Sequence, residues 1–441
     1  MTRLQFLWSN LRSSFWFVPS LIFAASIASA IGLIELDSGK ARPWLEEWPR
    51  IFGSGAAGAR TMLSTIAGSM MTVVGVTFSM TLVTLALASS QYTPRILRNF
   101  MADRVTQVVL GMFGGIFIYC LIVLRTIRGG EDDYVPSLAV LFGVVLAVCG
   151  IAILIYFIHH IASAIQASSI VESVTRETLS SIDRQFPSAG KRDEHAASLS
   201  SEKSATAAKD RGAKVASQRI GYIQGIDITS LVRIADRLDT TFVLECDVGE
   251  FVVRGAPLLT MASRDDLPES ECAEIERAFN IYRFRTIDQD VGFGIRQVVD
   301  IALRALSPSL NDVTTAVMCV DYLSAILADL AGRPFPDHRH CCDGRLRVIS
   351  RERTFDDLLR AAFDQITSSA RGNLTVLGRL LSALQAVGGA TLEPQRRQNL
   401  IDYAARLHEA RDSLTTPQDA GRFERMLART RSLLTAAPDT P

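Results

Sequence analysis

Neither sign of charge is in excess, because 46 basic residues balance 46 acidic ones. That argues against a nucleic-acid partner, which draws on a basic surplus. No lysine follows Lys214, so no later segment can carry a biotin or lipoyl group. The seven cysteines are odd in number and lack a framework spacing, which speaks against a disulfide scaffold. Cys120 and Cys149 lie in apolar runs and act as small hydrophobes. Cys246, Cys272, Cys319, Cys341 and Cys342 fit a reducing compartment. H-E-x-x-H and G-x-S-x-G do not occur, and Gly39-Lys40 lacks the P-loop spacing. Gly53-Ser-Gly55-Ala-Ala-Gly58 matches G-x-G-x-x-G but follows no predicted strand. No catalytic residue, cofactor or metal is therefore expected, and the chain is read as not an enzyme.

Charge is also missing from the middle of four long apolar runs: Phe15 to Ile34, Thr61 to Ser90, Val105 to Leu124 and Ser137 to Ile158. Each is long enough to cross a bilayer. The first, though preceded by Arg3 and Arg12, is longer than a secretory apolar core and reads as a retained span. Trp8, Trp16, Trp44 and Trp48 lie near the ends of the first two spans, as interfacial aromatics do. Lysine and arginine counts on the two sides are close. The early arginines and the large tail with free thiols place both termini in the cytoplasm. Intramembrane ionisable groups mark coupled pumps, and their lack here leaves a passive pathway open.

The second span is rich in small and hydroxylated residues. From Gly68 to Ser90, ten residues are Gly, Ser or Thr. At about 100° per residue, Ser64, Thr65, Gly68, Ser69, Thr72, Gly75, Ser79, Ala86 and Ser90 form one broad stripe. Met71, Val74, Phe78 and Leu85 lie roughly opposite, and Thr77, Thr81 and Thr84 form a second, smaller patch. Small residues let helices approach closely in lipid. Several copies turning the stripe to a shared axis would line a hydroxylated pore. Thr65, Ser69, Thr72, Gly75 and Ser79 are the candidate pore-lining residues. Gly111, Gly114 and Gly115 of the third span read as a packing notch for the second.

After a transmembrane domain of residues 1–160, residues 161–187 read as a helix leaving the membrane and packing on partners. Residues 188–217 lack large apolar groups and read as a flexible linker. In 218–262, Phe242, Leu244, Cys246 and Val248 alternate as a half-buried strand does. With "VGEFVVRGAPLL" they suggest a small β-barrel-like module. Residues 263–441 read as mainly helical. There "YRFRTIDQDVGFGIRQVVDIALRALSPSLNDVTTA" predicts a helical hairpin, with Asn311 or Asp312 capping its second helix. Arg296, Asp300 and Arg304 stand at i, i+4 spacing. Arg283, Arg285, Arg296 and Asp300 are the candidate anion-binding or ion-pair cluster. "DHRHCCD" has ligand-type residues, but they are too close together to fill a zinc sphere. Thr354 is expected to cap a helix, and Pro394 and Pro417 to start two more.

Three stretches carry a resemblance: "VTFSMTLVTLALASSQYTPRILRNFMADR", "GYIQGID" with "GEFVVRGAPL", and "RTIDQDVGFGIRQVVDIALRALSPSLNDVTTA". With them the chain, from about Arg12 to Gln365, resembles the bacterial predicted membrane proteins of unknown function with four N-terminal spans. The family usually has proline after Asn-Asp, where Val313 stands here. The resemblance implies an inner-membrane location and supplies no activity. The expected fold is four transmembrane helices followed by an α+β soluble domain with a helical C-terminal region. The expected function is a homo-oligomeric passive channel in the lipid bilayer, passing a small ion or solute, with the soluble region as gating and assembly domain. The alternative is a membrane-anchored sensor or scaffold whose tail binds a partner or a small anion.

Overall fold

The computed structural model describes residues 16–38, 55–91, 104–128, 134–164, 166–187, 212–262, 267–391 and 393–436. The chain divides into two compact units, Met1–Ser169 and Ile170–Pro441. Trp8, Trp44, Trp48 and the arginines from Arg95 to Arg98 lie outside the described residues.

Among the described residues the first unit holds four long helices: α1 (Phe17–Ser38), α2 (Ala56–Gln91), α3 (Arg104–Thr126) and α4 (Ser137–Ala164). Each covers one uncharged run, since a bilayer-length apolar stretch satisfies its backbone only as a helix. The third is the most buried, enclosing Val109, Phe113, Ile116, Tyr119, Cys120 and Val123. Its glycine notch takes the first span rather than the second. A Cβ on Gly111 would lie 2.7 Å from Ile22 Cδ1, one on Gly114 2.7 Å from Phe23 Cε1, and one on Gly115 2.5 Å from Ser26 Oγ. The second span packs on α3 away from that notch and also on α4, where Leu63 Cδ2 comes within 3.0 Å of a Cβ built on Gly143. Tyr119, fully buried, donates to the Ala139 carbonyl at 2.7 Å and so ties α3 to α4.

The second unit opens with α5 (Ala167–Gln185), whose Ile170 to Gln185 portion packs within this unit. Ser181 Oγ donates to the carbonyls of Ile287 and Asp288 at 2.7 and 3.0 Å. Next come β1 (Lys214–Ala216), β2 (Gly221–Ile226), α6 (Ile228–Arg237), β3 (Phe242–Leu244), β4 (Phe251–Val252), β5 (Pro257–Met261), α7 (Glu269–Arg277) and β6 (Phe279–Tyr282). The helical hairpin is α8 (Val291–Ala305) and α9 (Val313–Ala331), followed by the strand pair β7 (Arg339–Cys342) and β8 (Arg345–Ile349). Four helices close the unit: α10 (Phe355–Ser369), α11 (Leu374–Ala390), α12 (Pro394–Leu407) and α13 (Pro417–Thr435).

The strands form two open sheets, β1-β5-β3-β8-β7 and β4-β2-β6, and no closed barrel forms among the described residues. The expected module at 218–262 is thus incomplete by itself. It recruits Lys214–Ala216 from the expected linker, and it recruits β6, β7 and β8 from the stretch read as mainly helical. The β7–β8 turn is Asp343-Gly344, both at positive φ (47° and 74°), as a tight hairpin turn requires. Ile223, Leu231, Phe242, Leu259, Phe279 and Val348 share one core beneath these strands.

Five helices among the described residues are long and apolar enough to cross a membrane, one more than expected. The fifth is α9. Its Cys319, Val320, Leu323, Ile326, Leu327 and Leu330 are fully buried, and it packs on α8, α10 and α11 within its own unit. Asp312, not Asn311, caps α9 by accepting from Thr315 N at 3.0 Å. Thr354 and Asp357 make a reciprocal capping box on α10, and Pro394 and Pro417 sit in the first turns of α12 and α13.

The cap generates a prediction. Hydrogen bonds from Thr315 hold the Asp312 carboxyl below its usual pKa. A carboxylate with a lowered folded-state pKa stabilises above its unfolded value and loses that contribution as pH falls. Asp312→Ala should cost about 1 kcal/mol at pH 7. In denaturant titrations of the full-length protein, the difference from the parent should shrink below about pH 4.

Candidate functional site

On α2, burial separates two faces. Leu63, Ala67, Met70, Thr77 and Thr84 are buried within one copy. Thr65, Ser69, Thr72, Gly75 and Ser79 are all exposed, as are Ser64 and Gly68 between them. Among the described residues, nothing lies within 4 Å of a Cβ built on Gly68 or Gly75. Of the expected second patch, Thr77 and Thr84 instead face the interior of the copy. The hydroxyls bond back along the helix, Thr65 to the Thr61 carbonyl at 2.8 Å and Thr72 to that of Gly68 at 3.1 Å. Each donor is thereby satisfied, while oxygen lone pairs stay available on the exposed face. Thr65 also lines an apolar groove of about 370 Å³ against Val144, Val148 and Ile151 of α4.

In the second unit the polar centre is Asp290, whose side chain is 1% exposed. It stands before the apolar helix α8 and caps it, accepting from Phe293 N at 3.0 Å. Its other oxygen accepts from Arg285 Nε and Nη2 at 2.9 and 2.7 Å. Arg285 also lies over the Phe293 ring, 4.9 Å from the centroid. Arg353, 3.5 Å from Asp290 Oδ1, reaches Asp247 Oδ2 at 2.7 Å and donates to the Val248 carbonyl. Arg351 joins the same loop through Glu250 at 2.6 Å and the Glu245 carbonyl. Three distant segments, 245–250, 285–293 and 351–353, are thereby tied together.

Gly249 allows this closure. Its φ is +90°, and a Cβ there would lie 2.2 Å from Asp290 Oδ2 and 2.8 Å from Arg285 Nη2. In the same loop, burial chiefly pushes the Cys246 thiol up to about 12, so it is an inert thiol rather than a nucleophile. Beside the ion-pair cluster lies a cavity of about 210 Å³, lined among others by Asp247, Gln289, Val291, His340, Arg351 and Arg353. Burial chiefly holds His340 below the usual imidazole range, and its Nε2 sits 3.3 Å from Ser350 Oγ.

The expected Arg283–Arg285–Arg296–Asp300 cluster is distributed over separate contacts. Arg285 is committed to Asp290, and Arg296 pairs with its own-helix neighbour Asp300 at 2.7 Å. Arg283 is exposed and lies 5.2 Å over the Phe284 ring. None of the three arginines lines the cavity. Asp290, Asp247 and Arg353 were missed. Asp290 carried a local signal, an aspartate directly before an apolar-periodic run, but Asp247 and Arg353 meet only through the fold. His338 and His340 lie at and beside β7, and among the described residues no group of three or more His, Cys, Asp or Glu side chains is placed to hold a metal ion.

These features define an α-helical membrane protein with an α+β second unit. The chain belongs to the predicted membrane protein family DUF2254, whose profile matches residues 12–386. It is 32% identical over 396 residues to uncharacterized protein Mb1321c of Mycobacterium bovis, covering 88% of this chain and 74% of that protein. Uncharacterized protein Rv1290c of Mycobacterium tuberculosis is similar to the same extent, 32% over 396 residues, with 88% and 74% covered. No solved structure matches the chain.

Removing Asp290 leaves two arginines without their shared acceptor and α8 without its cap. Asp290→Ala should cost about 3–5 kcal/mol. Gly249→Ala, strained in φ and pressed on the same carboxylate, should cost about 1–3 kcal/mol. The exposed Arg176–Glu172 pair supplies a control, since Arg176→Ala should cost under about 1 kcal/mol. Chemical denaturation of the full-length protein checks the order. An Asp290→Ala as mild as Arg176→Ala contradicts the assignment.

Proposed function

We propose that this protein is a homo-oligomeric passive channel of the bacterial inner membrane, with both termini cytoplasmic. In each copy α2 turns Thr65, Ser69, Thr72, Gly75 and Ser79 toward a shared axis. The observation that carries this reading is the exposure of all five in a single copy, while α2 buries Leu63, Ala67 and Met70. An exposed face of a span meets lipid or another helix. Lipid is matched by bulky apolar groups, and small residues gain most from close helix approach. Hydroxyls whose protons bond the backbone turn lone pairs outward, which favours water and cations over anions along the path. The spans carry no midplane charge with which to couple transport to an ion gradient. The soluble unit, which has no catalytic part in this reading, assembles the copies and gates the path.

The second reading is a membrane-anchored sensor. The cavity beside Asp290 favours it, but Arg351 and Arg353 on its wall are already paired with Glu250 and Asp247. A small anion would have to compete with those carboxylates.

Planar-bilayer recording of the purified full chain tests the first reading. A salt-dependent conductance is expected, and Thr72→Leu with Ser79→Leu should lower it by at least about tenfold by narrowing and drying the path. Silence under every salt and membrane tension would count against conduction.

A further inference from the structure

Among the described residues of the second unit, nothing covers the aromatic side chains on the outer face of the β4-β2-β6 sheet, with Phe251 and Tyr282 at 54% and 42% exposure. The registers Tyr222↔Phe251 and Tyr222↔Tyr282 set three aromatic residues side by side across the sheet. Their neighbours of opposite parity, Val252, Ile223 and Ile281, are buried, so the aromatics occupy the outward face. The rings of Tyr222 and Phe251 meet edge to face at 5.0 Å. The exposed apolar surface runs past the paired residues: Ile220 and Val253, next in the chain to the paired Gly221 and Val252, are 65% and 55% exposed. The chain bends after Tyr282, and the Phe284 carbonyl accepts from Gln224 of β2 at 2.7 Å. Phe284 is thereby held beside the same face, half exposed.

The rim of this patch is basic. Arg219 and Arg254 flank the exposed Ile220 and Val253 in the chain, and Arg283 lies over the Phe284 ring. All three are exposed, and none has an acidic partner among the described residues. The flanking carboxylates are engaged elsewhere, Glu250 on Arg351 at 2.6 Å and Glu276 by the Gln218 N–H at 2.9 Å. In a chain with 46 charges of each sign, this is a local cationic rim around an apolar centre.

We infer that this face docks on an anionic lipid surface. Tyrosine and phenylalanine settle among headgroups and upper acyl chains, and arginine keeps its guanidinium at the phosphates. Each basic residue near such a surface adds attraction. A second copy meeting this one through the same face would bring three more uncompensated guanidiniums against these three, which disfavours self-association here. The inference rests on membership of a membrane-protein family and not on conduction, so a silent bilayer recording leaves it intact.

Hydrogen exchange tests it. The full chain is placed one copy per nanodisc, in discs of phosphatidylcholine alone and discs with phosphatidylglycerol added. Exchange in 219–222, 251–254 and 282–284 should be slower by at least about tenfold in the anionic discs. It should return to the neutral-disc rate in Arg219→Gln/Arg254→Gln/Arg283→Gln. Unchanged exchange around Asp290 confirms that this variant is folded. Equal exchange in the two disc types overturns the inference, as does slowing that survives in the variant. Slowing that appears only with two copies per disc assigns the face to another copy and also overturns it.

Discussion

Hydrocarbon offers no hydrogen-bond partner, so every polar group of a span must be satisfied by its own helix or by a packed neighbour. The first unit follows from that constraint. Its four runs carry no midplane charge, and its helices hold together through shape. Gly111, Gly114 and Gly115 let α3 close on Ile22, Phe23 and Ser26 of α1, while Gly143 admits Leu63 of α2. Thr61, Thr65, Thr72, Thr81 and Thr84 of α2 bond carbonyls one turn back in the same helix, while the buried Thr77 hydroxyl has no partner among the described residues. Among the described residues the small-residue stripe of α2 stays exposed, alongside Met71, Val76 and Phe78, and the functional reading starts there.

The second unit solves its polar problem differently. Three arginines and three carboxylates on remote segments (Arg285, Arg351 and Arg353 with Asp247, Glu250 and Asp290) are drawn to one buried aspartate and the loop beside it. Arg347 repeats the device at smaller scale. It is 7% exposed and bridges Asp236 and Asp239, each at 2.9 Å. Buried ion pairs are weak sources of stability, but breaking one is costly. Such clusters therefore fix which segments meet. That suits a unit whose sheets are assembled from strands separated by long helical stretches.

The spans were legible in the sequence because a bilayer-length uncharged run has few other solutions. The ends of helices were legible too: Asp312, Thr354, Pro394 and Pro417 act where local chemistry places them. Partners were not. The glycine notch was visible, but its partner α1 was not. Alternation at Phe242 and Leu244 marked a strand, but a barrel was expected where β7 and β8 complete an open sheet from about a hundred residues away. The same holds for the site. The stripe on α2 follows from helical periodicity alone, whereas Asp247 and Arg353 share no local pattern. The apolar composition of α9 reflects burial among helices of its own unit, which composition cannot tell from burial in lipid.

The central claim is that the small-residue face of α2 turns to a wet axis that it shares with the same face of other copies. Disulfide cross-linking in native membranes tests this most directly. A cysteine in place of Ser79 (Ser79→Cys) should join copies above the level of the parent chain, while Phe78→Cys, exposed on the other side of the helix, should not. Equal cross-linking at the two positions, or none at Ser79→Cys, contradicts the account.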